Sequence, residues 1–338
     1  LADLPYGAEV AAQLREHYTQ GTFGSAFLGI CRTWLERLGL LFVDPLDPEI
    51  RRIFAPKLAE AVLRTDELSE AILERNATLA AQGYHAQVHF ESDTSLVFRL
   101  DDGQRVGLKR RAGEYDAEAL AARAETLSPN ALLRPVLQDY LFPTVALIGG
   151  PAELAYFAQS EVLYRRLLGR MPVVFARAGF TLVPARGQKL LDRYGLTVKD
   201  IWQGDEAVRE RISRQLIPST LSASLAETQA RSKAQVANLL EDLAAFDSTL
   251  AAALSNSARK IRYQFEKIEK KVEREALRRD ERAAGEAAYL IHLLFPEKHL
   301  QERLYSIVPF LAMYGEELID RLYEHVRLEC PDHQVIAL

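Results

Sequence analysis

The stretch 144–176 constrains what this chain can fold into more than any other part of it. Residues 144–148 (TVALI) form an unbroken β-favouring apolar run, the kind that is buried on both faces of a parallel sheet. Gly149 and Gly150 follow at once, and Pro151 suits the first position of a helix that the pattern extends over 151–168. A second apolar strand is expected at 172–176, with alternation continuing through Phe180 and Leu182. A crossover this short joins two parallel strands with a right-handed connection, so the chain is expected to be α/β. A glycine turn between the carboxyl end of a strand and the amino end of a helix presents free backbone N–H groups over a crevice. Anions and nucleotides bind there in many α/β proteins, although a tight turn without a ligand has the same sequence.

Upstream, 1–20 reads as a helix with Val10, Leu14 and Tyr18 on one face. Thr22 caps a second helix, expected over 23–38, with Phe27, Ile30, Trp34 and Leu38 as its apolar stripe and Gly39 after its end. A short buried strand is expected at 40–43. Asp47-Pro48-Glu49 starts another helical stretch, which continues with breaks at Pro56 and Thr65 to Gly83. From 84 to 111 the period switches to two: Ala86, Val88 and Phe90 alternate, and so do Leu96, Phe98 and Leu100. The turn at 101–104 and the return at 105–109 make a hairpin, read as an insertion. Asp116 caps a helix to about residue 125.

Beyond Gly187 no strand is expected until Val335-Ile336. Apolar residues step by three and four through Leu225, Val236, Leu239, Leu243 and Phe246, with Gln229 and Ser232 as polar exceptions. They step so again through Leu254, Ala258, Ile261, Phe265, Ile268 and Val272. The rhythm slips at Leu250, beside the good N-cap Asp247. A helical hairpin turning near Asp247 is expected, the alternative being a stutter in one longer helix. Pro296 ends the second arm, and 300–328 returns to ordinary globular helix.

Composition narrows the function classes. The chain has 338 residues, 48% hydrophobic and 26% charged, with net charge −5, so it offers no general electrostatic reason to bind nucleic acid. No apolar run is long enough for a bilayer. Cys31 and Cys330 lie far apart, with no disulfide framework, which suits a reducing cytoplasm. His85 and His89 have HxxxH spacing but fall in the expected strand, where residues four apart stand roughly 13 Å from each other; no metal site is expected. The glycine turn is neither GxGxxG nor GxxxxGK[ST], which argues against a nicotinamide dehydrogenase and a Walker-type ATPase.

Around the turn, Glu153, Tyr156 and Ser160 share one helical face, with Gln159 beside it. Glu153 either favours the helix dipole or holds a hydroxyl or amine of a ligand. Arg134, Gln138, Asp139 and Tyr140 form a polar cluster before the strand. There Arg134 either binds a carboxylate or phosphate or pairs with Asp139. Lys109-Arg110-Arg111 ends a hairpin strand, and Lys270-Lys271 lies among glutamates on a solvated helix face.

The segments LLRPVLQDYLFPTVALIGGPAELAYFAQ (132–159), MPVVFARAGFTLV (171–183), YGLTVKDI (194–201), FDSTL (246–250) and LFPEKHLQERLYSIVPFLAMYG (294–315), with the ending HQVI, resemble the bacillithiol-biosynthesis cysteine-adding enzymes, a cysteine ligase family. The resemblance implies a partial Rossmann-like parallel-sheet core with a small β-hairpin insertion, a long antiparallel coiled-coil hairpin and C-terminal helices. It divides the chain into core at 1–83, connecting-peptide insertion at 84–127, core again at 128–186, coiled-coil hairpin at 187–293 and a helical segment packing on the core at 294–338. It implies a cytoplasmic homodimer that adds cysteine to glucosaminyl-malate through carboxylate activation, with ATP or ADP bound and no nucleic acid, membrane or metal. Gly149, Gly150, Glu153, Tyr156 and Gln159 are then the pocket floor, and Arg134, Gln138 and Asp139 hold ligand. Arg177 stands in the FARAG segment, which departs from the family's PR-x-S form, and Gln301 and Arg303 contact a nucleotide. No residue receives a catalytic role. The family's TGQQ-like segment and histidine-containing loop are not found, so the chain is expected to be a C-terminal portion lacking the N-terminal Rossmann half. The rival expectation is a non-catalytic α/β platform whose coiled coil pairs proteins.

Overall fold

The computed structural model describes residues 1–19, 21–101, 104–110, 115–329 and 332–338. The chain divides into two compact units. The first is Leu1–Ala178 with Val308–Asp332, and the second is Gly179–Ile307 with His333–Leu338.

The first unit opens with α1 (Gly7–Tyr18) and α2 (Phe23–Leu35). Thr22 caps α2 reciprocally: its hydroxyl accepts from Ser25 N, and Ser25 Oγ accepts from Thr22 N. The buried stripe of α2 is Ala26, Ile30 and Trp34, whereas Phe27, expected in it, is exposed. Gly39 takes φ 78° at the end of a short 3-10 turn. The strand expected at 40–43 does not form. Leu41 is 92% exposed and no ladder engages the segment; an apolar run becomes a strand only where a neighbour supplies hydrogen bonds.

Asp47 accepts from the N–H groups of Glu49 and Ile50 and starts α3 (Pro48–Leu63). Pro56 does not break α3 as expected, because buried Phe54, Leu58, Ala61 and Val62 hold the helix on both sides of it. The expected break at Thr65 does separate α3 from α4 (Thr65–Ala81). β1 (Thr94–Asp101) runs antiparallel both to β2 (Gln104–Lys109) and, past α5 (Ala117–Ala121), to β3 (Leu127–Pro129). The expected hairpin is thus present, its turn residues Asp102 and Gly103 lying outside the described residues. The alternating run at 84–90 is not a strand. The backbone of Val88 is held instead by a side chain, described below.

α6 (Arg134–Leu141) leads to β4 (Ala146–Gly149), α7 (Pro151–Leu168) and β5 (Val173–Ala176). β4 and β5 are parallel, Ala146 opposite Val173 and Gly149 opposite Ala176, as the central stretch predicts. The burial expected on both faces is not found: Leu147 is buried on one face, whereas Val145, Ile148 and Val173 are exposed, because no further strand or helix of the described residues covers them. Leu58, Leu68, Ile72, Leu96, Leu133, Leu163 and Tyr164 form the buried core of this unit.

The second unit begins with β6 (Phe180–Val183), α8 (Ala185–Tyr194), α9 (Val198–Ile201) and α10 (Asp205–Leu216). α11 (Ser219–Phe246) and α12 (Ser248–Arg279) then pack as a helical hairpin. Asp247 ends one and caps the other, accepting from Thr249 N and Leu250 N, so the predicted turn is where the cap puts it. α13 (Glu281–Leu294) and α14 (Gln301–Leu304) follow. α15 (Val308–Tyr314) and α16 (Glu317–Glu324) belong to the first unit. β7 (Gln334–Ala337), the expected terminal strand, pairs parallel with β6. No helix among the described residues is long and apolar enough to cross a membrane.

Candidate ligand site at the turn between β4 and α7

Glycine is required where β4 passes under the first turn of α7. A Cβ on Gly149 would lie 2.9 Å from the Phe157 ring and 3.1 Å from Glu153 Cβ. Its carbonyl accepts from Arg177 N at 2.8 Å, fastening the end of β5 to the end of β4. Gly150 is the N-cap, and its N–H donates to Glu153 Oε2 at 2.9 Å. One of the free backbone donors expected here, the Gly150 N–H, is therefore already satisfied. A carboxylate from within the helix lies over the amino end, where the dipole favours negative charge.

The other oxygen of Glu153 faces a polar pair. Arg134, at the start of α6, donates through Nη2 to Tyr156 Oη at 2.8 Å. Tyr156 Oη donates to Glu153 Oε1 at a long 3.4 Å, and Arg134 Nη2 stands 3.9 Å from that oxygen. Burial pushes the Tyr156 phenol up, opposed by Arg134 and helped by Glu153, so it is neutral at pH 7 and able to donate. Arg134 and Glu153 remain open to solvent, with side chains 53% and 39% exposed.

The other predicted residues divide sharply. Gln159 is fully buried: its carboxamide accepts from Val88 N (2.9 Å) and donates to Val88 O (3.0 Å) and Asn76 Oδ1 (2.9 Å). Asp139 has an inaccessible side chain whose Oδ1 accepts from Thr144 N (2.7 Å) and Arg170 Nη2 (3.1 Å). The Arg134–Asp139 pair that the sequence allowed is not made. Asp139 pins the chain entering β4, and Arg170, which the sequence reading passed over, lies 31 positions away. Gln138 is exposed, and so is Arg177. Ser160 Oγ donates to the Tyr156 carbonyl, an ordinary back-bond within α7.

Gln301 and Arg303 lie in the second unit. Gln301 is buried, accepting from Leu182 N (2.8 Å) and donating to the carbonyls of Leu182 (3.0 Å) and Leu293 (2.9 Å); Arg303 is exposed. In the same unit a cleft of about 910 Å³ is lined by Lys270, Arg274, Glu273 and Lys298, among others. His89 meets Glu91 at 3.0 Å on an exposed segment. Among the described residues no group of three His, Cys, Asp or Glu is placed to hold a metal. Cys31 is a free thiol, and Cys330 and Arg111 lie outside the described residues.

These features define a class: a Rossmann-like α/β domain followed by a coiled-coil domain on one chain. The chain belongs to the bacillithiol biosynthesis BshC family. The model for its N-terminal Rossmann-like domain matches residues 1–178, and that for its C-terminal coiled-coil domain matches 180–338. The expectation that the N-terminal Rossmann half is lacking is thereby corrected. Among curated relatives, proteins named "Putative cysteine ligase BshC" are 49% identical in Solibacter usitatus and 37% in Koribacter versatilis, over 100% and 96% of this chain. A namesake in Salinibacter ruber is 29% identical over 97%. The chain spans 66%, 63% and 62% of the lengths of these three relatives.

Proposed function

We propose that this chain serves a ligase that joins the carboxyl group of cysteine to the amino group of glucosaminyl-malate, forming the amide of a low-molecular-weight thiol. The observation that carries this reading is the match of both family domains in series, with relatives named as cysteine ligases along the whole chain. The polar cluster of Arg134, Tyr156 and Glu153 above Gly149 and Gly150 is the proposed pocket, with Gln138 at its rim. Amide formation from a free acid needs an activated carboxyl group, for which ATP is the proposed co-substrate. At the amino end of α7 the Glu153 carboxylate takes the Gly150 N–H and sets a negative charge against phosphate, so no step is assigned to nucleotide there. The reading places the reaction in the cytoplasm, with the coiled-coil hairpin pairing two copies.

The test is an assay of the chain with cysteine, ATP and glucosaminyl-malate, read by mass spectrometry of the amide. Formation of the product supports the ligase. Its absence, under conditions where a verified relative makes it, removes the reading and leaves the non-catalytic pairing module.

A further inference from the structure

We infer that Arg134, Tyr156 and Glu153 form a clamp for a compact zwitterion, a free α-amino acid, and that this end of α7 selects against phosphate. The assignment of the amino acid as cysteine rests on the ligase reading; the clamp itself rests on the geometry.

The two charged groups are each half engaged. Glu153 Oε2 accepts from Gly150 N, while Oε1 has two long contacts, with the Tyr156 hydroxyl at 3.4 Å and with Arg134 Nη2 at 3.9 Å. Arg134 engages Nη2 with Tyr156, and its Nε and Nη1 have no partner among the described residues. A carboxylate oxygen with spare capacity and a guanidinium with spare donors therefore stand 3.9 Å apart, both exposed. A zwitterion meets both demands at once: its carboxylate accepts from Arg134 and its ammonium donates to Glu153. An α-amino acid carries these two groups on one carbon, which suits so short a spacing. A phosphate would be drawn to Arg134 but repelled by Glu153, whose carboxylate already takes one of the N–H groups at the helix start, that of Gly150. Tyr156 bonds to both members of the pair.

The clamp has a chemical consequence. An ammonium held by a carboxylate stays protonated and is no nucleophile, so the bound amino acid would not acylate a second copy of itself. The attacking amine is then the acceptor's.

Calorimetric titration of the full chain at pH 7 tests this with L-cysteine, cysteamine (no carboxylate), 3-mercaptopropionate (no ammonium) and inorganic pyrophosphate. Cysteine is expected to bind about tenfold or more tighter than either truncated analogue, the worth of one charged hydrogen bond, and pyrophosphate should not displace it. Glu153→Gln keeps an acceptor for Gly150 N–H but removes the charge; it should abolish the preference over 3-mercaptopropionate and keep that over cysteamine. Arg134→Gln, at an exposed side chain, should do the converse, and carries the test alone if the Glu153 variant does not fold. Binding of cysteine unchanged by both substitutions overturns the clamp, as does displacement by pyrophosphate. So does a dependence on Glu153 shown by glucosaminyl-malate instead of cysteine. If amide product forms while the variants leave the KM for cysteine unchanged, the clamp falls and the ligase stands; if discrimination follows the variants without product, the ligase falls and the clamp stands.

Discussion

Gln159 and Gln301 show how much a single side chain can conceal. Each lies on a helix and each is buried, its carboxamide grasping both the N–H and the C=O of one residue, Val88 and Leu182 respectively. A primary amide mimics the donor and acceptor of a neighbouring strand, so it can fix Val88, which has no ladder, or the open side of β6 at Leu182. Replacing Gln159 by Leu would leave both polar groups of Val88 buried or half-buried without partners. The expected loss is about 2–4 kcal/mol from two unmade bonds, measured by denaturant unfolding; a loss below about 0.5 kcal/mol, the range of neutral surface changes, would show that the clamp is dispensable. Val88 is 71 positions from Gln159. The sequence showed the helical face and could not show that partner. The glycine turn, Pro151 at the helix start and Glu153 in its first turn were legible because they are local; the approach of Gly149 to Phe157 and the bond from Gly150 N–H to Glu153 were not, because the turn residues do not say which groups close on them.

At the scale of elements the same division holds. α7 and the turn at Asp247 were readable because helix periodicity and capping are properties of consecutive residues. The runs at 40–43 and 84–90 were misread as strands because alternation reports a preference and not the presence of a neighbour to pair with. Between α8 and α13 a further contact was invisible in sequence. Glu286 accepts from Tyr194 Oη (2.6 Å), Arg193 Nη1 (2.7 and 2.8 Å) and Arg282 Nε (3.0 Å). The Tyr194 bond first, then the two arginines against the cost of burial, hold its carboxyl down to about 2 from the usual 4.5. A carboxyl depressed in the folded state stabilises above its unfolded value and stops doing so as protons are forced on it. The contribution should be complete above pH 4.5 and fade as pH falls towards 2. Glu286→Gln should flatten the acid limb of a stability–pH profile and cost about 1–2 kcal/mol at pH 7. An unchanged acid limb would mean that the cluster does not couple α8 to α13.

For the molecule as a whole, the helical hairpin poses the last question. Within it, Leu225, Val236 and Leu243 on α11 and Leu254, Ala258, Phe265 and Val272 on α12 are half-buried along the seam between the arms. No residue of α11 is fully buried, and on α12 only Glu273 and Leu277, near its end, are. The other members of the predicted heptads point away from the seam: Leu239 is 49% exposed, Phe246 82%, Ile261 39% and Ile268 45%. Two helices use one stripe each to hold together, and a second apolar stripe of this kind is a surface for association. Pairing of two copies along it is the expected outcome, giving a sedimenting mass near twice 38.0 kDa. Leu239→Glu with Ile268→Glu places charge on the outer stripe and leaves the inner seam intact, so it should return the mass to one chain without a loss of helical signal. If the unaltered chain sediments as a single copy at the highest concentration it tolerates, the outer stripe does not serve self-association. If the double variant still pairs, the contact lies elsewhere on the chain. Either result would also decide between the two uses of the hairpin, because a seam that merely braces one chain has no reason to leave Phe246 in water.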